Sequence, residues 1–186
     1  MNDSSEAKQR IALIWDLGAG NAHAVKLQLL ARGLRARGHQ VVLMARNLRP
    51  AHSAAHALGM PLLQAPHNDW FPDQTAPASH ADIYWNEAGL HDALQTRALV
   101  GAWCALLTEL RCTRAIVEGA PLAIVAARKL EIATAAYGTG FMLPPGPPWP
   151  IFRDWEPVNF ERLRLREALI AEHLRGVGSQ PEHLRA

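Results

Sequence analysis

Two residues in this chain are of a type and spacing that can move a proton: His23, three positions past a glycine turn, and Glu118, at the end of a later apolar run. The histidine closes the stretch WDLGAGNAH and stands at the mouth of the helix that follows. A helix macrodipole disfavours an imidazolium near its amino end, so the ring is expected in the neutral form that accepts a proton. A carboxylate on the second ring nitrogen would fix its tautomer and orientation, as in hydrolase triads. Such a pair can do general-base work. A solvated first-turn histidine and a lone surface acid fit the same spacing. Gly18-Ala19-Gly20 lets backbone approach a ligand closely, and the amides that open the next helix favour anions. As a dinucleotide fingerprint the turn is imperfect: His23 stands where G-x-G-x-x-G has its third glycine, and no acid follows the second strand, although Arg46 could meet a 2′-phosphate. His52 and His56 are four apart, as zinc ligands are, but HSAAH lacks a metalloprotease glutamate and a third ligand, so no metal is expected.

The elements that must position these groups follow from periodicity. RIALIW (10–15) is a short apolar run that suits a strand buried on both faces. From 22 to 37, Val25, Leu29, Leu30 and Leu34 recur at helical steps with Lys26, Gln28, Arg32 and Arg35 between them, Gly38 stops the helix, and QVVLMA (40–45) resumes strand character. Strand, helix and strand at this spacing make a βαβ unit. A short helix near 52–58, a third strand over 60–66, a long loop over 68–77 and a helix over 90–110 with Leu94, Ala98, Leu99, Ala102, Leu106 and Leu110 on its apolar face come next. A strand over 114–119, a helix over 121–130 opened by Pro121, and a strand over 133–138 complete the alternation. The whole predicts an open, doubly wound, mostly parallel Rossmann-like sheet with helices on both faces. The proline-rich stretch 138–152 is then loop or polyproline II with Trp149 and Phe152 giving it an apolar surface, 159–174 is a charged, exposed helix, and 176–186 frays. Ligands of such sheets bind at the carboxyl ends of the strands, which gathers LGAGNAH, EGAP and GTGFMLPP into one candidate site.

Composition narrows the class. With 186 residues, 49% of them apolar, the chain suits one cored domain, here 10–175, with a loose tail over 1–9. Nineteen basic against seventeen acidic residues leave a net charge of +2, too little to announce nucleic acid. No apolar stretch reaches the length of an integral membrane segment, MNDSSEAKQR lacks a signal core, and the cytoplasm is the expected location. Cys104 and Cys112 read as small core residues.

RIALIWDLGAGNAHAVKLQLLARGLRARGHQVVLMARNL, LLQAP, ASHADI, EGAPLAIVAARKL and YGTGFMLPP resemble, in order and spacing over 10–175, the amino-terminal half of GT-B glycosyltransferases of the UDP-glucosyl and glucuronosyltransferase type. That resemblance implies an acceptor-binding half of an inverting enzyme, with His23 as base and Glu118, where relatives commonly carry Asp, orienting it. The family loop reads Gly-His where this chain has Ala22-His23. On this reading Gly18, Gly20 and Asn21, then Trp70 and Phe71, then Gly138, Thr139, Gly140, Phe141 and Pro144 shape the site for a hydrophobic or phenolic acceptor. No cofactor is implied, because the nucleotide sugar would sit on a donor half that these residues do not resemble. Transfer would need a donor-domain partner chain or assembly, a homo-oligomer included. Two alternatives stay open: a non-catalytic binding or assembly module on half of the fold, and an NADP-binding oxidoreductase domain.

Overall fold

The computed structural model describes residues 8–18, 20–73, 75–139, 142–143, 145–152, 155 and 157–184. In chain order these form β1 (Arg10–Trp15), α1 (Asn21–Ala36), β2 (Gln40–Ala45), α2 (Leu48–Ala57), β3 (Leu62–Gln64), α3 (His80–Asn86), α4 (Ala93–Glu109), β4 (Arg114–Glu118), α5 (Pro121–Lys129), β5 (Ala133–Ala136), α6 (Phe160–Arg175) and a final 3-10 turn (Pro181–Leu184). The strands make one parallel sheet in the order β3-β2-β1-β4-β5. The expected α/β doubly wound, Rossmann-like fold is what forms. Winding runs outward in both directions from β1 and β4, so the order reverses between them and leaves a crevice at their carboxyl ends.

Both faces of the sheet are covered, which is why its strands read as unbroken apolar runs. Ile11, Leu13, Trp15, Val41 and Leu43 pack on Leu27 and Ala31 of α1 and on Ala51 and Ala55 of α2. The alternate residues Ala12, Ile14, Val42, Met44, Ala115 and Val117 pack under α3 to α6. Two helices are rotated from the faces that large apolar residues suggest. In α1 the buried set is His23, Ala24, Leu27 and Ala31, while Val25 is 52% and Leu29 61% exposed. In α4 the buried set is Thr96, Leu99, Val100, Trp103 and Leu107, and Leu94 projects into solvent. Small residues let a helix sit close to a sheet or a neighbouring helix, so Ala24 and Ala31 of α1 and Thr96 of α4 join the larger buried chains on the contact face.

The region 68–91 holds an element that periodicity does not reveal. Ser79 caps α3, its hydroxyl accepting from the Ala81 amide, and pairs by an isolated antiparallel bridge with Ile151. Trp149 and Phe152 are not the surface expected of them: Trp149 is buried edge-on against Tyr84 at 5.2 Å, and Phe152 meets the His80 ring at 4.8 Å. Residues 176–184 do not fray either, since Val177 and Leu184 are buried in the α5–α6 side of the core. Among the described residues no helix is long and apolar enough to cross a membrane.

α6 is anchored through charge as well as through Leu163, Ile170 and Leu174. Arg166 is buried, binds Asp82 of α3, and donates from Nη2 to Asp73 Oδ2 at 2.5 Å. The Arg166 bond holds the Asp73 carboxyl down to about 2. Removing the guanidinium would leave the buried Asp82 carboxylate with the Ala78 amide at 2.7 Å and, as its charged partner among the described residues, Arg162 at 3.7 Å. Arg166→Ala is expected to destabilise the fold by about 3 kcal/mol, read as a lower urea midpoint, with partial recovery in Arg166→Met/Asp82→Asn.

Candidate functional site

At the carboxyl edge the strands' ladder continues into the loops. Leu17 donates its amide to the Gly119 carbonyl (2.7 Å), Arg46 to the Trp15 carbonyl (2.9 Å) and Tyr137 to the Val117 carbonyl (2.9 Å). The loops after β1, β4 and β5 are thereby held side by side at the crevice, as the sequence predicts. Their glycines enclose one side chain. A Cβ placed on Gly18, Gly119 or Gly138 would lie 3.3, 2.8 or 3.0 Å from atoms of Met142.

His23 is the third residue of α1, on the same face as Leu27 and Ala31, and is buried. Its ring stacks on Trp15 (centroids 5.0 Å apart, planes at 15°), and Trp15 is itself fixed by its indole N–H donating to the Leu17 carbonyl at 2.7 Å. Nδ1 lies 3.1 Å from Glu118 Oε1, a close approach that is not a hydrogen bond. Nε2 faces Gly18, where a Cβ would come within 3.1 Å of it. Gly18 also has φ of +82°, a backbone region that favours glycine, so both reasons bar a side chain there.

Glu118 is 0% exposed. Lys26, one turn beyond His23, donates from Nζ to the same Oε1 at 2.5 Å, while Oε2 is buried with no partner among the described residues. The sequence presents Lys26 as a solvated polar position; its separation of three from His23 is the signal that the two share a helix face.

The opposite side of the Gly18 turn carries a different environment. An apolar cavity of about 140 Å³ is walled by Leu17, Ile83, Tyr84, Ile124 and Met142, and burial pushes the Tyr84 phenol well above its usual range. A wider polar groove adjoins it and shares Gly18, Pro77, Ile83 and Glu87 with it. Asp16, which directly follows β1, is 3% exposed. Burial pushes its carboxyl up to about 7, with Arg46 pulling it down and Glu87 adding to the rise. No pattern in the sequence marks Met142 as part of a site.

The remaining expected site residues divide. Gly138 lies against Glu118, where a Cβ on the glycine would stand 3.4 Å from Cγ of the acid, and the Thr139 carbonyl accepts the Met142 amide at 2.8 Å, so both belong to the crevice. Gly20 and Asn21 open α1 on its exposed side, facing a shallow groove toward α2. Phe71 lies in the polar groove beneath Arg46, 5.4 Å from its guanidinium. Trp70 is away from the crevice: 61% exposed, it meets the edge of His91 at 4.8 Å. Gly140, Phe141 and Pro144 lie outside the described residues. His52 and His56 stack on each other at 5.7 Å, and no group of three His, Cys, Asp or Glu among the described residues could hold a metal. Arg46 donates to the Asn68 carbonyl at 2.9 Å, an engagement that competes with any phosphate. Burial raises both cysteine thiols, which fits packing rather than nucleophilic roles.

Neither a family model nor a curated relative matches this sequence. Similar solved structures include MurG of Acinetobacter baumannii (TM-score 0.48, 13% identity), which the chain matches over 69% of its own length and 34% of that chain. UDP-GlcNAc 2-epimerase of Neisseria meningitidis bound to UDP-GlcNAc (0.45, 14%) is matched over 86% and 38%. Glycyrrhiza uralensis UGT73P12 complexed with glycyrrhetinic acid 3-O-monoglucuronide (0.44, 12%) is matched over 91% and 42%. These neighbours are GT-B glycosyltransferase-like folds. The chain spans less than half the length of each.

Because folding raises the Asp16 carboxyl from its ordinary value to about 7, the folded state holds that proton where the unfolded chain has released it. Stability is therefore greatest below about pH 4 from this group and falls as pH rises toward 7. Asp16→Asn is expected to flatten that slope and to raise Tm at pH 8, by a free energy on the order of a few kcal/mol. Gly18→Ala is expected to cost about 1 kcal/mol or more and to shift the His23 imidazole resonances, read by NMR.

Proposed function

We propose that this chain is the acceptor-binding half of an inverting glycosyltransferase, in which His23 takes the proton from an acceptor hydroxyl as that oxygen attacks the anomeric carbon of a nucleotide sugar. The observation that carries the reading is the pairing of His23 Nδ1 with the buried Glu118 carboxylate at 3.1 Å, with Nε2 left facing the Gly18 turn. In a triad-like arrangement the carboxylate side fixes the ring and the opposite nitrogen meets the substrate. Catalytic contacts of this kind are often long or poorly aligned without substrate and tighten when it binds. The apolar cavity across Gly18 supplies the place for a hydrophobic or phenolic acceptor. The leaving diphosphate and the sugar would be held by a donor half, continuous with this chain or carried by another, and the proton transfer itself needs no metal.

A second reading is a binding module without catalysis. Lys26 favours it, because its 2.5 Å bond to Glu118 Oε1 occupies the oxygen that His23 would use. Buried charges are commonly paired in this way for structural reasons alone.

Turnover separates the two. Assembled with a donor half and given a UDP-sugar and 4-methylumbelliferone, the chain is expected to form glycoside with inversion. His23→Ala should lower kcat about 10²- to 10⁴-fold while acceptor binding persists, the usual range for loss of a general base. Full activity in His23→Ala would remove the proposed base, and no turnover with the native histidine would favour the binding module.

A further inference from the structure

Two side chains of α1 meet one oxygen of Glu118, and the proposed reaction gives a role to only one of them. Glu118 is 0% exposed at the end of β4, and its Oε1 has His23 Nδ1 at 3.1 Å and Lys26 Nζ at 2.5 Å. A carboxylate held out of water needs a compensating positive charge, and of the groups that reach this one the imidazole and the ammonium are the two that can carry it. The helix gives Lys26 no reason to be here. It stands in the second turn of α1, toward the end at which the macrodipole disfavours cations, and with 31% of its side chain exposed it nevertheless turns its ammonium inward to Glu118. A carboxylate offers about four lone-pair sites on its two oxygens, so an ammonium and an Nδ1–H can be accepted together, and Oε2 is without a partner among the described residues.

The ammonium decides what the ring beside it must do. With Lys26 in place the ion pair is neutral, and His23 can stay an uncharged imidazole. Without it the buried anion draws a proton to the site, and an imidazole, whose ordinary midpoint lies about two pH units above that of a glutamate, takes it before the acid does. An imidazolium carries a proton on both nitrogens and has no lone pair for an acceptor hydroxyl.

We propose that Lys26 is a positioning residue for the reaction: its ammonium neutralises the buried Glu118 carboxylate, so that Glu118 can orient the His23 ring without charging it. The base is thereby kept ready at Nε2, the nitrogen that faces the Gly18 turn. This inference rests on the reading of His23 as the base, and it gives the lysine that otherwise speaks for a binding module a place in the chemistry.

The chain alone serves for the test, with no donor half. The groups that meet His23 are Glu118 from β4, Lys26 through that acid from its own helix, the Trp15 ring from β1 and the Gly18 turn. Imidazole resonances followed by NMR from about pH 5 to 9, with the His23 signal identified as the one missing from His23→Ala, give the titration midpoint of the ring. Lys26→Met is expected to raise that midpoint by about one pH unit or more, the usual effect of a close carboxylate left uncompensated, and Lys26→Arg to restore it. Glu118→Gln, which keeps the ammonium and removes the anion, is expected to lower it, and Lys26→Met/Glu118→Gln to bring it back toward the native value. A lysine that only steadies the fold moves none of these, so an unchanged midpoint in Lys26→Met overturns the proposal. Should Lys26→Met fail to fold, Glu118→Gln and the double variant carry the test: equal midpoints in those two mean that the ammonium has no influence on the ring, and count against it. The Asp16 carboxyl, pushed up to about 7, titrates in the same window, so Asp16→Asn is the control, and a shift there as large as in Lys26→Met overturns the assignment to Lys26. The expected shifts together with full turnover in His23→Ala speak against the reaction and not against the charge pairing.

Discussion

A carboxylate wholly out of water at the end of a central strand must be met by positive or donating groups, and Glu118 imposes that demand on everything around it. Its partners come from one helix. His23 and Lys26 are three residues apart, so a single rotation of α1 brings both to Oε1. The same rotation sets Leu27 and Ala31 on the sheet and turns Val25 and Leu29 outward. The exposed apolar pair is the cost of satisfying the buried acid. Trp15 completes the arrangement by presenting its ring face to His23, which restricts the imidazole to a plane where Nδ1 and Nε2 look toward Glu118 and Gly18 respectively.

This constraint explains what could and could not be read from the chain. The strands β1, β2 and β4 were legible because burial on both faces demands unbroken apolar runs, and the convergence of His23 with Glu118 followed from the rule that ligand loops gather at carboxyl ends. The face of α1 was not legible, because a count of large apolar residues favours Val25 and Leu29 while the charge on Glu118 overrides it. α3 escaped for a different reason. It has seven residues and depends on the Ser79 cap and on the Asp82–Arg166 pair contributed by α6. Such a helix draws its stability from tertiary contacts that no local window contains. Trp70 illustrates the converse, an aromatic in a long loop that suggests a pocket wall yet packs on His91 at the surface.

Charge organises the other side of the crevice as well, in a layered way. Arg166 gathers Asp73 and Asp82, which ties the 68–77 loop and α3 to α6. Arg46 then joins that loop to the sheet through the Asn68 carbonyl and Phe71. The walls of the cavity are thus held by ion pairs behind them, and the cavity itself stays apolar. Glu87 brings a carboxylate to the residues that the cavity and the groove share.

The two halves of the crevice meet at Gly18, and their separation is a matter of one side chain. Met142 fills the space that Gly18, Gly119 and Gly138 leave by having no Cβ. Gly18 and Met142 line the cavity, and His23 Nε2 lies on the other side of Gly18. An unbranched methionine has several rotatable bonds and adapts to irregular space at smaller cost than a β-branched residue. Three glycines around one methionine therefore make a wall whose filling is a single unbranched side chain. Helix α1 holds His23 and strand β4 holds Glu118, and the adjustable part is a side chain beside them.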